Sequence, residues 1–378
     1  MPDFSALIGR PCPDWYAKPQ LGIFIHWGVF AVPAWAPAGV SITELTRTHY
    51  DEVFALSPYA EWYANALRIA GSPTQRHHAE VWGDRSYESF RPDFEAAAEA
   101  FDAEAWAALF ANAGAAYVVF VTKHHDGYCL WPSEVENPKR PSWRSERDYV
   151  GELAEAVRGR GLRLGVYYSG GLDWTFKADP IANLGDMFAC IPVSEEYAAY
   201  AEAQVRELIA RYRPSVLWND IGWPDGEALP QLFAEYYAAV PDGVVNDRWA
   251  GSKRFIESLS DAATRAAFNA GVKARLAATV GELEQPPPPY CDFRTVEYAS
   301  GANIGGKKWE SCRGLGLAFG YNAAERTEDY LTGEALTALY DDVTARGGNL
   351  LINVGPRADA SIPDEQTAPL RVLGRHIS

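Results

Sequence analysis

FDAEAWAALFANAGAAYVVFVTK, residues 101–123, holds one complete helix-to-strand unit, and its reading decides the fold. Phe101–Asn112 carries apolar residues at helical spacing, and Gly114 follows as a stop signal. Tyr117–Lys123 (YVVFVTK) is then an apolar, β-rich run of strand length. The unit repeats downstream. Tyr149–Arg160 reads as a helix closed by Gly161 and followed by the strand Arg163–Tyr168 (RLGVYY). Glu195–Tyr212 reads as a long helix broken at Arg213-Pro214, with Val216–Asp220 (VLWND) as the next strand. Upstream, Leu21–Trp27 (LGIFIHW) is a buried strand. Val244–Asn246, Asp292–Thr295, a short run near Leu317–Gly320, and Asn349–Asn353 (NLLIN) bring the count to eight.

Alternating β and α units imply parallel strands with right-handed crossovers, and eight of them predict an α/β fold of the (β/α)8 barrel type. An open doubly wound sheet is the alternative. No Gly-x-Gly-x-x-Gly follows the first strand, so a dinucleotide site is not indicated. Ser252–Gln285 interrupts the rhythm with apolar residues about every four positions, from Phe255 to Leu283, and leads into Pro286–Pro289. This predicts a helical insertion with a stiff exit. It reads as a packed appendage, with a lid over the site as the alternative. The whole chain, 1–378, is read as one catalytic domain with residues 252–290 inserted.

The chain has 378 residues, 48% hydrophobic and 22% charged, which suits a sizeable core. Its formal charge of −16 would repel a polyanion, so nucleic acid and acidic membranes are poor partners. Thirteen Trp, 20 Tyr and 16 Phe point either to carbohydrate, whose C–H faces stack on such rings, or to an aromatic-rich core. Met1–Trp15 shows no signal-peptide pattern. Leu21–Ile42 lacks charge but is interrupted by Pro33, Pro37 and three glycines, which fits a strand and loop better than a membrane span. Five scattered cysteines without a Cys-x-x-Cys pair suggest a reduced, cytoplasmic protein.

Functional side chains of a parallel barrel gather at the C-terminal ends of its strands. Those positions hold His26, His124-His125, Tyr167, Trp218, Asp220, Arg248 and Glu297: hydrogen-bonding groups, aromatics and two carboxylates. Such a set suits a polyhydroxylated ligand. Two carboxyls flanking one pocket are what glycosidic cleavage requires. A metal site is disfavoured, because adjacent histidines on a strand point to opposite faces unless the strand has ended, and no His-x-His follows the first strand. His77-His78 read as solvated loop residues.

GIFIHWG with VPAW, EWY at Glu61–Tyr63, KHHDG, LWNDIGWP, VVNDRW, TVEY, GLGLAFGYN and GGNLLINVGP occur in this order along nearly the whole chain. Together they resemble the α-L-fucosidases of glycoside hydrolase family 29. The resemblance implies a retaining exo-hydrolase acting on terminal α-L-fucosyl residues of oligosaccharides or glycoconjugates, with no cofactor or metal. It implies Asp220 as nucleophile and Glu297 as acid/base. His26, Glu61, Trp62, His124, His125, Tyr167 and Arg248 would hold the sugar or orient the nucleophile, and Phe24, Trp218 and Phe319 would receive the C6 methyl. A bell-shaped pH profile is expected. Many members carry a C-terminal β-sandwich, which is not expected here, and the 248–297 interval is longer than the family pattern. A sugar-binding barrel without turnover and a metal-dependent hydrolase stand as alternatives, and a homo-oligomer stays open.

Overall fold

The computed structural model describes residues 3–278, 288–298 and 307–378. Its eight strands are β1 (Leu21–Ile25), β2 (Tyr117–Lys123), β3 (Arg163–Tyr168), β4 (Val216–Asn219), β5 (Val244–Val245), β6 (Arg294–Glu297), β7 (Trp309–Gly314) and β8 (Asn349–Val354). All pair in parallel, in the order β5-β4-β3-β2-β1-β8-β7-β6. The sheet curls until its two edges meet. The seam between β5 and β6 has no strand ladder. Instead the Asp292 N–H donates to the Val245 carbonyl (3.0 Å) and the Val245 N–H donates to Asp292 Oδ2 (2.8 Å). A side chain thus stands in for part of a ladder.

Local chemistry explains the helices that precede the strands. Asp102, Asp148, Ser194 and Thr332 each accept a backbone N–H three residues ahead, capping helices Ala103–Asn112, Tyr149–Gly159, Glu195–Tyr212 and Gly333–Ala345. Gly114 (φ 82°) and Gly161 (φ 77°) take the left-handed conformation that ends two of them. Every residue of β1, β2, β4, β5 and β8 is buried, as expected for strands covered on both faces.

β7 corrects the expectation of a strand near Leu317–Gly320. That stretch is loop, and the strand is Trp309–Gly314, WESCRG. Its charge hides it. Glu310 points into the barrel, fully buried, and accepts hydrogen bonds from the Tyr16 hydroxyl (2.7 Å), the Tyr117 hydroxyl and Trp218 Nε1 (3.0 Å). A carboxylate satisfied in this way can occupy a position where apolar side chains are expected. Gly22 leaves room for the cluster, since a Cβ there would lie 2.3 Å from the Tyr117 ring.

One further expectation changes. His77 and His78 lie on helix Pro73–Val81, not in a loop. His78 is buried between the Tyr63 hydroxyl and the Arg85 carbonyl (both 2.7 Å), a satisfied core histidine, while His77 stacks on Trp35. The insertion forms two helices, Lys253–Ser258 and Ala262–Ala278. Val280, Leu283, Pro286 and Pro287 lie outside the described residues. The longer helix packs on helices Leu184–Ala189 and Ile42–Thr48, and its Leu276 reaches the main cavity. Among the described residues no helix is long and apolar enough to cross a membrane.

Candidate active site

A cavity of about 600 Å³ opens at the C-terminal ends of the strands, where a parallel barrel places its ligands. Phe24, His26, Glu61, Trp62, His124, His125, Tyr167, Trp218, Asp220, Arg248, Glu297 and Phe319 all line it. The twelve residues singled out from the sequence therefore converge on one pocket. Strand periodicity explains several of them. Trp218 faces the barrel interior, and two positions on along the same face comes Asp220; Phe24 and His26 are related in the same way.

Asp220 is held by two side chains and flanked by a third. Arg248 Nη1 lies 2.9 Å from its Oδ1, the Tyr167 hydroxyl donates to its Oδ2 (2.9 Å), and His125 Nε2 lies 3.8 Å from that same oxygen. Burial pushes the carboxyl up. The charge of Arg248, with the hydrogen bonds from Arg248 and Tyr167, outweighs it and leaves the group below its ordinary value. Asp220 is thus an ionised and fixed carboxylate.

Glu297 faces it across the same guanidinium. Arg248 Nη1 also contacts Glu297 Oε1 at 2.5 Å. Since one nitrogen touches both oxygens, at 2.9 and 2.5 Å, those oxygens are at most about 5.4 Å apart. Arg248 is itself immobilised. Its Nε donates to Thr295 Oγ1 (2.9 Å), Thr295 donates to Asp247 (2.7 Å), and the guanidinium lies over the Trp218 ring. The chain turns sharply after both carboxylates: Ile221 has φ 59° and Tyr298 φ 51°. Such conformations cost side-chain-bearing residues on the order of 1–3 kcal/mol and cluster at functional sites. Gly171 permits the first turn, because a Cβ there would lie 2.2 Å from the Ile221 carbonyl oxygen.

The histidines are set as neutral tautomers. Asn353 Nδ2 donates to the Phe319 carbonyl (2.6 Å), so its Oδ1 must accept from His26 Nδ1 (2.6 Å). Ser169 donates to the Leu172 carbonyl (2.6 Å), so it accepts from His125 Nδ1 (2.6 Å). In both rings Nε2 is left as a hydrogen-bond acceptor. Burial lowers His26 to about 3 and His125 to about 4, and it drives His124 well below its ordinary value.

Beneath them runs a buried ion pair, Lys123 Nζ to Asp173 Oδ2 at 2.8 Å, both side chains fully shielded. It ties the end of β2 to the loop whose Trp174 N–H donates to the His125 carbonyl (2.7 Å). Replacing Lys123 by Met is expected to cost about 3–5 kcal/mol in denaturant unfolding, because Asp173 would be left buried without its partner.

Glu61 forms no ion pair among the described residues. Its Oε2 accepts the Gly320 N–H (2.8 Å), and burial raises its carboxyl to about 8. The unfolded chain releases this proton near 4.5 and the folded chain near 8. Between those values the folded state binds more protons, so stability falls as pH rises. Glu61→Gln removes that linkage. Melting temperatures measured from pH 5 to 8 should show wild type losing ground to the variant as pH increases; a constant difference would contradict a protonated Glu61.

Sequence reading missed Asn353 and Ser169, which fix the tautomers, and Thr295, which fixes Arg248. Asn353 on β8 and Ser169 just after β3 stand near strand C-terminal ends, so the positional rule that found Asp220 would have found them. Tyr59 and Cys312 also line the cavity, and no sequence signal marks them.

A parallel barrel with two carboxylates facing one cavity defines the class: a carbohydrate-active hydrolase of the carboxylate-pair kind. The chain belongs to the alpha-L-fucosidase family, which matches residues 1–378. An alpha-L-fucosidase of Dictyostelium discoideum is 29% identical over 395 residues, covering 100% of this chain and 72% of the relative. The tissue alpha-L-fucosidase of Homo sapiens is 29% identical over 391 residues, covering 100% and 70%. Among solved structures, Thermotoga maritima alpha-fucosidase in complex with fucose is 42% identical, with TM-score 0.80, covering 99% of this chain and 76% of that one. Its complex with a mechanism-based inhibitor gives the same identity and TM-score, covering 99% and 75%.

Proposed function

We propose that the protein is a retaining, exo-acting α-L-fucosidase that hydrolyses terminal fucosyl residues by double displacement. The observation that carries this reading is the single Arg248 nitrogen in contact with both Asp220 and Glu297. A retaining pair needs its carboxyls about 5–5.5 Å apart, whereas an inverting pair needs room for a water and stands about 6.5–9.5 Å apart. The cavity has a closed floor, with Phe24 packed on Trp218 and Tyr167 stacked on Trp218, so a pyranose enters from one side only.

In the first step an Asp220 oxygen attacks C1, and Glu297 passes a proton to the departing oxygen. Water, deprotonated by Glu297, then attacks C1 and releases Asp220. Glu297 must part from Arg248 to carry its proton, and Arg248 remains paired with Asp220. The His26 and His125 Nε2 atoms accept hydrogen bonds from sugar hydroxyls, and a protonated Glu61 donates one. Phe24, Trp218 and Phe319 present an apolar wall to the C6 methyl. Burying that group contributes about 0.8 kcal/mol, while a hydroxyl there would lose hydration without a partner.

The test is stereochemical. Proton NMR during hydrolysis of an aryl α-L-fucoside should show α-fucose first and β-fucose only through later mutarotation. Initial release of the β anomer would overturn the double displacement.

A further inference from the structure

Phe319 stands on the irregular loop 316–320, which follows β7 and forms no strand ladder. The backbone groups of such a loop need partners, and here side chains supply them. The Gly320 N–H donates to Glu61 (2.8 Å), the Phe319 carbonyl accepts from Asn353 (2.6 Å), and the Leu317 carbonyl accepts from the Tyr298 hydroxyl (3.1 Å). The successive N–H groups of Leu317 and Ala318 converge on a single oxygen: Glu325 Oε1 accepts both, each at 2.7 Å. Gly316 makes room for that carboxylate, since a Cβ there would lie 2.3 Å from Glu325 Oε2. Phe319 is thus held from both sides along the chain, and its buried ring meets His26 (5.0 Å) and Phe24 (6.3 Å) on the sugar side.

We infer that Glu325 is a positioning residue that sets Phe319 against C6 of the sugar and thereby fixes the preference for a 6-deoxy ring, an inference that rests on the fucosidase reading above. Glu325 stands outside the cavity lining, so it acts through the loop. It forms no ion pair among the described residues; burial pushes its carboxyl up to about 7, against hydrogen bonds from Tyr330, Ala318 and Leu317. An oxygen of this group accepts in either protonation state, so a neutral amide can replace it. An apolar side chain cannot. It would leave two neighbouring N–H groups without an acceptor, and the loop would shift to find water. Phe319 would move with it, and the space opened at C6 would admit a hydrated hydroxyl.

Nitrophenyl α-L-fucoside and nitrophenyl α-L-galactoside test this, because they differ only by the hydroxyl on C6. Wild type is expected to favour the fucoside strongly in kcat/KM. Glu325→Leu, close in size but without an acceptor, should reduce that preference by at least about tenfold. Glu325→Gln should keep it within about twofold of wild type, because the amide oxygen still accepts both N–H groups. Where the leucine variant does not fold, Glu325→Asp decides, since its shorter side chain withdraws the acceptor and should lower the preference part of the way. A merely structural role would lower both rates together and leave the ratio unmoved. An unmoved ratio in the leucine or aspartate variant, a glutamine variant as permissive as the leucine one, or a wild-type ratio near one overturns the assignment. Failure of wild type to turn over the fucoside would sink the fucosidase reading itself, whereas turnover with an unmoved ratio sinks only this inference.

Discussion

Asp220→Gly is expected to lower kcat/KM on an aryl α-L-fucoside by on the order of 10⁴-fold, and azide is expected to restore turnover as β-fucosyl azide. The reasoning begins with the electrostatics. Asp220 is largely buried yet stays ionised, because Arg248 and Tyr167 outweigh the cost of burial. Glycine removes the attacking oxygen and leaves a small space beside a cation. Azide fits both the charge and the room. It attacks C1 from the face Asp220 occupied while Glu297 still protonates the leaving oxygen, so the configuration inverts once. The fold should survive, since Arg248 retains Glu297 as a counter-ion and Thr295 as an acceptor. Product configuration by NMR is the readout. Activity within tenfold of wild type, or an azide product of α configuration, would remove Asp220 from the role of nucleophile.

Why was so much of this legible in the sequence? Strands buried on both faces announce themselves as short apolar runs, and YVVFVTK and RLGVYY coincide with β2 and β3 to the residue. β7 failed for the complementary reason. Its inward Glu310 is satisfied by Tyr16, Tyr117 and Trp218, which are up to 294 residues away in the chain, so nothing local marks WESCRG as a strand. Part of the site was legible because the barrel fixes where strand ends lie, which marks Asp220 and Glu297, whereas Glu61, Trp62 and Phe319 stand off the strands and were marked only by the family resemblance. What stayed hidden was relational. The β5–β6 seam, the guanidinium shared by two carboxylates and the insertion's seat on helices 42–48 and 184–189 all depend on contacts between distant segments. The tautomers of His26 and His125 depend on Asn353 and Ser169, and only the folded chain brings those atoms within 2.6 Å.

Glu297→Ala should separate the two steps of the cycle. Loss of a general acid costs about 10²–10⁴-fold, and the cost grows with the basicity of the leaving group. A fucosyl–sugar linkage, whose leaving alcohol needs the proton, should bear the full loss in kcat/KM. A dinitrophenyl fucoside leaves without help, so its first step should be nearly unimpaired. The second step still lacks its base, and the covalent fucosyl-enzyme on Asp220 should accumulate as a burst followed by slow release. Azide needs no deprotonation. It should accelerate release and yield α-fucosyl azide, the anomer opposite to that from the Asp220 variant, because it attacks an intermediate already inverted once. The exposure of Glu297 favours its entry, with 34% of the side chain open and its partner Arg248 fixed behind it by Thr295 and Asp220. Equal losses on both substrates, with no burst and no azide product, would mean that Glu297 only anchors Arg248 and that another group delivers the proton.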